Sequence, residues 1–216
     1  MNQYEGRQAD LQMRINKHLV KLTGSDIDFY SKLTQNDLVE LKTVLSDIHN
    51  VLTLQLTIFA VNWLCDFFKI DSPSKSLLLD SVNRTKPNAK GYDIQLMHPY
   101  KIIAEVKCIS PVNNGSRFGA AQSDSILDDL NKLKKGKRDF DPSDYYKFLF
   151  ITELGNRTIK AINQLLKPSK GTSPVALKVS RHTIKSHVRV VSKADSPDSL
   201  SLENVYVIIA NTDTTN

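Results

Sequence analysis

The chain has 216 residues, 40% hydrophobic and 24% charged, with 29 lysines and arginines against 23 acids for a formal net charge of +6. That length suits one α/β domain with a short helical part attached, and the composition is that of a soluble globular protein, pointing neither to disorder nor to a membrane. The positive surplus favours a polyanionic partner without demanding one, while two cysteines without metal-type spacing, Cys65 and Cys108, argue against zinc and read as reduced thiols in an apolar setting.

The first twenty residues hold no apolar run of signal-peptide length, so a cytoplasmic protein is expected. Helical spacing covers residues 7 to 22 and 34 to 70, and the second stretch opens with Thr34 three residues before Asp37, a carboxylate form of the capping box. A break near His49 and Asn50 would make two helices of it. The apolar run from 51 to 70 is interrupted by Thr53, Gln55, Thr57, Asn62 and Asp66, which predicts a helix buried against a sheet and no membrane span. After the punctuating "DSPSKS", "LLLDSV" (77 to 82) reads as a short strand, and a loop then runs to Gly91.

Residues 91 to 108, "GYDIQLMHPYKIIAEVKC", read as two apolar strands around a turn. A helix follows from Phe118 to Lys135, with Ile126, Leu127, Leu130 and Leu133 on one face. Next come a strand in "YYKFLFITEL", a helix from Asn156 to Lys167, a strand in 175 to 192 that is either bent or doubled, and a last strand in "NVYVIIAN". This order predicts an α/β fold, a mixed central sheet flanked by helices on both faces. Residues 1 to 50 form an N-terminal helical part and 51 to 216 the core, one compact domain overall.

The charged residues of 91 to 108 stand out against that apolar background. A tight turn centred on Pro99 sets Asp93 opposite Glu105, with Cβ atoms roughly 4.5 to 5.5 Å apart, a placement that costs stability unless something positive lies between them. Strand alternation puts Ile103, Glu105 and Lys107 on one face and Ile102, Ala104, Val106 and Cys108 on the other. Lys107 would neutralise Glu105 in part, and the two acids offer oxygen ligands of the kind Mg²⁺ or Mn²⁺ takes. An ion so placed would hold a phosphodiester and activate a water, which Lys107 would orient or deprotonate. The plain alternative is a surface hairpin carrying a weak ion pair.

Gly91-Tyr92-Asp93, eleven residues, then Glu105-Val106-Lys107 resembles the motif of the PD-(D/E)XK nuclease superfamily, with Tyr92 standing where that family has proline. The succession of helix, strand hairpin, helix and strand from about 51 to 152 is similar as well, over roughly half of the chain. The resemblance implies a restriction-endonuclease-like sheet in which Asp93 and Glu105 bind Mg²⁺, the Val106 carbonyl adds a ligand and Lys107 serves the attacking water. It also implies a part for Gln122, early in the following helix, whose plain alternative is a polar residue at a helix start. A third acid would come from Glu40, Asp47 or Asp66, each of which equally suits a solvated surface.

By the same resemblance the chain is expected to be a type II restriction endonuclease, a homodimer that cuts double-stranded DNA. A structure-specific repair or recombination nuclease and a catalytically silent nucleic-acid-binding module are the alternatives. For phosphate contacts the densest basic cluster, Lys132, Lys134, Lys135, Lys137 and Arg138, is weighed evenly against helix termination. Arg181, Lys185 and Arg189 belong to a later basic segment that would read DNA as a ribbon, or simply face water as a charged strand. His182 and His187 lack the partners of a metal site.

Overall fold

The computed structural model describes residues 3–85, 90–112, 115–137, 139–153, 157–167, 184–192 and 195–211. Arg138, Arg181 and His182, and with them most of the strand expected over 175 to 192, lie outside the described residues. The chain divides into two compact units, Met1–Ile48 and His49–Asn216.

The first unit holds α1 (Gln3–Thr23), a short 3₁₀ turn (Tyr30–Lys32) and the start of α2 (Gln35–Phe68). Asn16 of α1 fastens the turn, its Oδ1 accepting the Phe29 N–H at 2.6 Å. At the head of α2 the capping box is complete. Asp37 N–H donates to Thr34 Oγ1 at 3.2 Å, and Thr34 N–H donates to the Asp37 carboxylate at 2.7 Å.

Helix α2 is continuous, which corrects the expected break at His49 and Asn50. Neither residue removes a donor or needs a special backbone angle, and no glycine or proline occurs in the helix, so nothing local stops it. By length and composition α2 is apolar enough to cross a bilayer. Its early residues Val39, Val44, Leu45 and Ile48 are exposed, whereas Leu56, Ala60, Val61, Leu64, Cys65 and Phe68 are buried in the core of the second unit. Trp63 lies at the edge of that core, stacked on Phe67 at 4.6 Å and edge-on to Phe148 and Phe150.

The stretch "LLLDSV" is helical and not a strand, part of α3 (Ser72–Arg84). The deciding residues precede it: Asp71 Oδ1 accepts the Ser74 N–H at 2.9 Å as an N-cap, and Pro73 occupies the first turn, where its missing N–H costs nothing. Leu78 and Val82, one turn apart, are the buried residues of this helix.

The sheet follows, with β1 (Ile94–Leu96), β2 (Ile102–Lys107), β3 (Tyr146–Thr152), β4 (Val188–Val190) and β5 (Val205–Ala210), in the spatial order β1-β2-β3-β5-β4. β1 is antiparallel to β2 and the other pairs are parallel, as α4 (Ala120–Lys135) and α5 (Arg157–Leu166) carry the chain between strands. The expected strand of 175 to 192 is reduced, within the described residues, to three residues at an edge of the sheet. Residues 184 and 185 before it are helical.

Alternation along the strands feeds two cores. Ile102, Ala104, Val106, Phe148 and Phe150 join α2 and α3 on one face. Ile103, Leu149, Ile151, Val205 and Val207 join α4 and α5 on the other.

Lys147 is an exception to this pattern, a lysine only 1% exposed on the α4 side of β3. Its ammonium donates to the carbonyls of Tyr145 and Leu202, both at 2.7 Å, and burial lowers its pKa to about 8. Between pH 8 and the ordinary lysine value the unfolded chain binds the proton that the folded chain has lost. Stability therefore rises with pH across that window, by on the order of 3 kcal/mol. Urea midpoints from pH 7 to 10.5 should show wild type gaining on Lys147→Met in that interval; parallel curves would contradict this account.

Candidate active site

The hairpin pairs Ile94 with Ala104, Gln95 with Ile103 and Leu96 with Ile102, which is the register expected from a turn about Pro99, and the strand ends enclose five residues. Asp93, one residue before β1, stands across from Glu105 in this register. The Asp93 carboxylate turns toward the strand edge, where its Oδ2 accepts the Val106 N–H at 2.7 Å and so continues a ladder that β1 begins only at Ile94. The N–H and C=O of one strand residue point to the same neighbour, so the Val106 carbonyl also faces the Asp93 side.

The two acids differ in setting. Asp93 is exposed, whereas Glu105 is 6% exposed. Burial first, and then the charge of Asp93, push the Glu105 carboxyl up to about 7 despite the nearby Lys137 ammonium. Tyr92, beside them, is pushed up to about 12 by burial and by the charge of Glu105, and its hydroxyl donates to the Lys132 carbonyl at 3.1 Å.

Lys107 does not pair with Glu105, which corrects the expectation that it neutralises that acid. Side chains two apart on a strand stand side by side and point the same way, so a group on a covering helix reaches them more directly. Here that group is Asp129 of α4, 4% exposed, whose carboxylate meets Lys107 Nζ at 2.7 Å and Lys132 Nζ at 2.8 Å. Asp129 escaped the sequence reading although a signal was present. It fills the i+3 slot of the stripe Ile126, Leu130, Leu133, where a helix laid on a sheet places apolar residues.

The counter-ion of Glu105 is Lys137, a residue that the sequence weighed between a phosphate contact and the end of a helix. Its Nζ forms an ion pair with Glu105 Oε1, an atom with no other hydrogen-bond partner among the described residues. The same Nζ donates to the Gly91 carbonyl and lies 4.6 Å from the centroid of the Tyr92 ring.

Gln122 is occupied elsewhere. Its Oε1 accepts the Gly119 N–H and its Nε2 donates to the Ser110 carbonyl, both at 3.0 Å, so it caps α4 and ties the helix start to the loop after β2. No contact joins it to Asp93, Glu105 or Lys107 among the described residues. Among the candidates for a third acid, only Asp66 belongs to the second unit. Asp66 makes a 3.7 Å ion pair with Lys75, and Glu40 and Asp47 sit on the exposed part of α2 in the first unit. No group of three His, Cys, Asp or Glu suited to a metal occurs among the described residues.

The other basic residues are dispersed. Lys134 is held by the carboxylate and carbonyl of Glu203, both at 2.7 Å, and Lys135 is exposed in the last turn of α4. Lys185 Nζ donates to the Lys167 carbonyl at 3.2 Å, and the Arg189 guanidinium donates to the carbonyls of Ser186 and Val188. Arg189 belongs to β4, three strand spacings from β2, or about 14 Å across the sheet. Arg189 is therefore not a neighbour of the carboxylate pair.

The carboxylates of Asp93 and Glu105 and the Val106 carbonyl are hard oxygen donors, the kind that suits Mg²⁺ or Mn²⁺. The buried Glu105 Oε1, satisfied only by a cation, is the observation that fits such an ion. Compared with protein-family models, with curated proteins and with solved structures, the chain finds no match.

Proposed function

We propose that the chain is a Mg²⁺-dependent endonuclease of the PD-(D/E)XK type that hydrolyses phosphodiesters of double-stranded DNA, in the manner of a type II restriction endonuclease, with Mn²⁺ as a substitute ion. One observation carries this reading: a buried and an exposed carboxylate stand opposed across the hairpin, with a lysine two residues after the buried one held on the same face by Asp129.

In this reading Asp93, Glu105 and the Val106 carbonyl would hold the ion, which would supply positive charge to a phosphate oxygen and to a water. The Val106 N–H orients Asp93 by fixing one of its oxygens and leaving the other for the ion. Lys107, paired with a carboxylate, acts as a hydrogen-bond donor that positions the water or a phosphate oxygen. Gln122 is left the role of a cap. Lys135 and the overall positive charge suit a polyanion, and cutting both strands of a symmetric site takes two copies of the chain.

Supercoiled plasmid incubated with the purified protein should be nicked or linearised with Mg²⁺ and stay intact with EDTA. Discrete fragments would favour restriction, and preference for branched duplexes the structure-specific alternative. DNA binding with intact plasmid under both Mg²⁺ and Mn²⁺ would refute hydrolysis and leave a binding module.

A further inference from the structure

Lys137 reaches the site through a turn that only glycine takes easily. Gly136, just past α4, has φ +94°, and a Cβ there would run into the Phe140 carbonyl oxygen. This turn directs Lys137 back over Tyr92, whose ring also packs edge-on against Phe140 at 5.3 Å. The ammonium thereby gathers a buried carboxylate oxygen, a backbone carbonyl and an aromatic face. The first two are oxygens of the kind a hard divalent cation also takes.

We infer that Lys137 is an internal cation occupying the ion's place at Glu105, and that a divalent ion binds by displacing it. The inference rests on the proposed role of Asp93 and Glu105 as ligands. Without a positive group, Glu105 would be a buried acid facing Asp93, an arrangement of like charges that folding resists. Lys137 removes that conflict while no ion is bound. Its side chain is 24% exposed and follows the helix end, so the four-carbon stem swings into solvent without moving α4.

The ion and the ammonium compete for Glu105, so the apparent ion affinity is the intrinsic affinity multiplied by the fraction of molecules in which Lys137 has left. If that fraction is between about one in ten and one in a hundred, Lys137 weakens ion binding by roughly 10- to 100-fold. Lys137 thus sets the ion concentration at which the site fills.

Isothermal titration of Mn²⁺ into wild type, Lys137→Met and Glu105→Gln tests this directly, with Lys137→Gln replacing the methionine variant should that one fail to fold. Lys137→Met should bind Mn²⁺ at least about tenfold more tightly than wild type, and Glu105→Gln should bind none. Equal affinity in Lys137→Met and wild type, with binding lost in Glu105→Gln, would overturn the displacement while leaving the carboxylate site intact. Absence of binding in all variants would overturn both.

Discussion

Asp93→Asn and Lys107→Ala, each made alone, are expected to lower Mg²⁺-dependent DNA cleavage by on the order of 10²- to 10⁴-fold, with duplex binding retained. Asparagine keeps the shape of Asp93 and still offers an oxygen to the Val106 N–H, so the hairpin stays as it is. The other carboxylate oxygen, however, is replaced by an uncharged amide nitrogen, and the pair loses half of its negative charge. Because Asp93 is exposed, this substitution leaves stability within about 0.5 kcal/mol of wild type, which separates lost chemistry from lost fold. Lys107→Ala removes the donor that stands beside Glu105. Single-turnover cleavage, with mobility shifts in Ca²⁺ as the binding control, measures both. Rates within about threefold of wild type for the two variants would place the chemistry elsewhere.

Asp129→Asn should damage both stability and cleavage, although the residue touches no substrate. Its side chain is buried and its carboxylate neutralises two ammonium groups, at 2.7 Å for Lys107 and 2.8 Å for Lys132. Lys132 is half exposed, and the Asp129 bond holds its pKa above the usual lysine range. Water takes over much of that partnership when the acid is gone. Lys107 is less exposed and loses its anchor, so the variant combines a stability loss of about 1–3 kcal/mol with a cleavage loss of roughly 10- to 100-fold. Asp129→Glu should recover part of the activity, and Lys132→Ala should cost under about 1 kcal/mol because that pair is open to solvent. Full activity in Asp129→Asn at an unchanged urea midpoint would show that Lys107 is held by something else.

Both predictions depend on how α4 lies on the sheet, and this is also where sequence and structure part. The capping box at Thr34 and Asp37, the stripe Ile126, Leu127, Leu130 and Leu133, and the division of β2 into Ile102-Ala104-Val106 and Ile103-Glu105-Lys107 were all legible beforehand. So was the pairing of Ile94 with Ala104. Each follows from residues within one turn of helix or one hairpin, where backbone period and turn geometry leave little choice. The stretch 77 to 82 was misread for a related reason. A short apolar run suits either a strand or a buried helix, and the cap at Asp71 settles it in favour of helix.

What the sequence determined by itself, then, was the α/β class, the hairpin with the helix and strand that follow it, and the confrontation of Asp93 with Glu105 across that hairpin. Only the tertiary structure decided which positive group answers each acid. Lys107 turned to Asp129, Lys137 turned to Glu105, and Gln122 stayed at its cap. The reason is physical: alternation and capping are governed by near neighbours, but the face that α4 presents to the sheet is chosen by burying Ile126, Leu130 and Leu133 against Ile103, Leu149 and Val207. The charges borne by that helix and the turn after it meet the strand wherever this packing puts them.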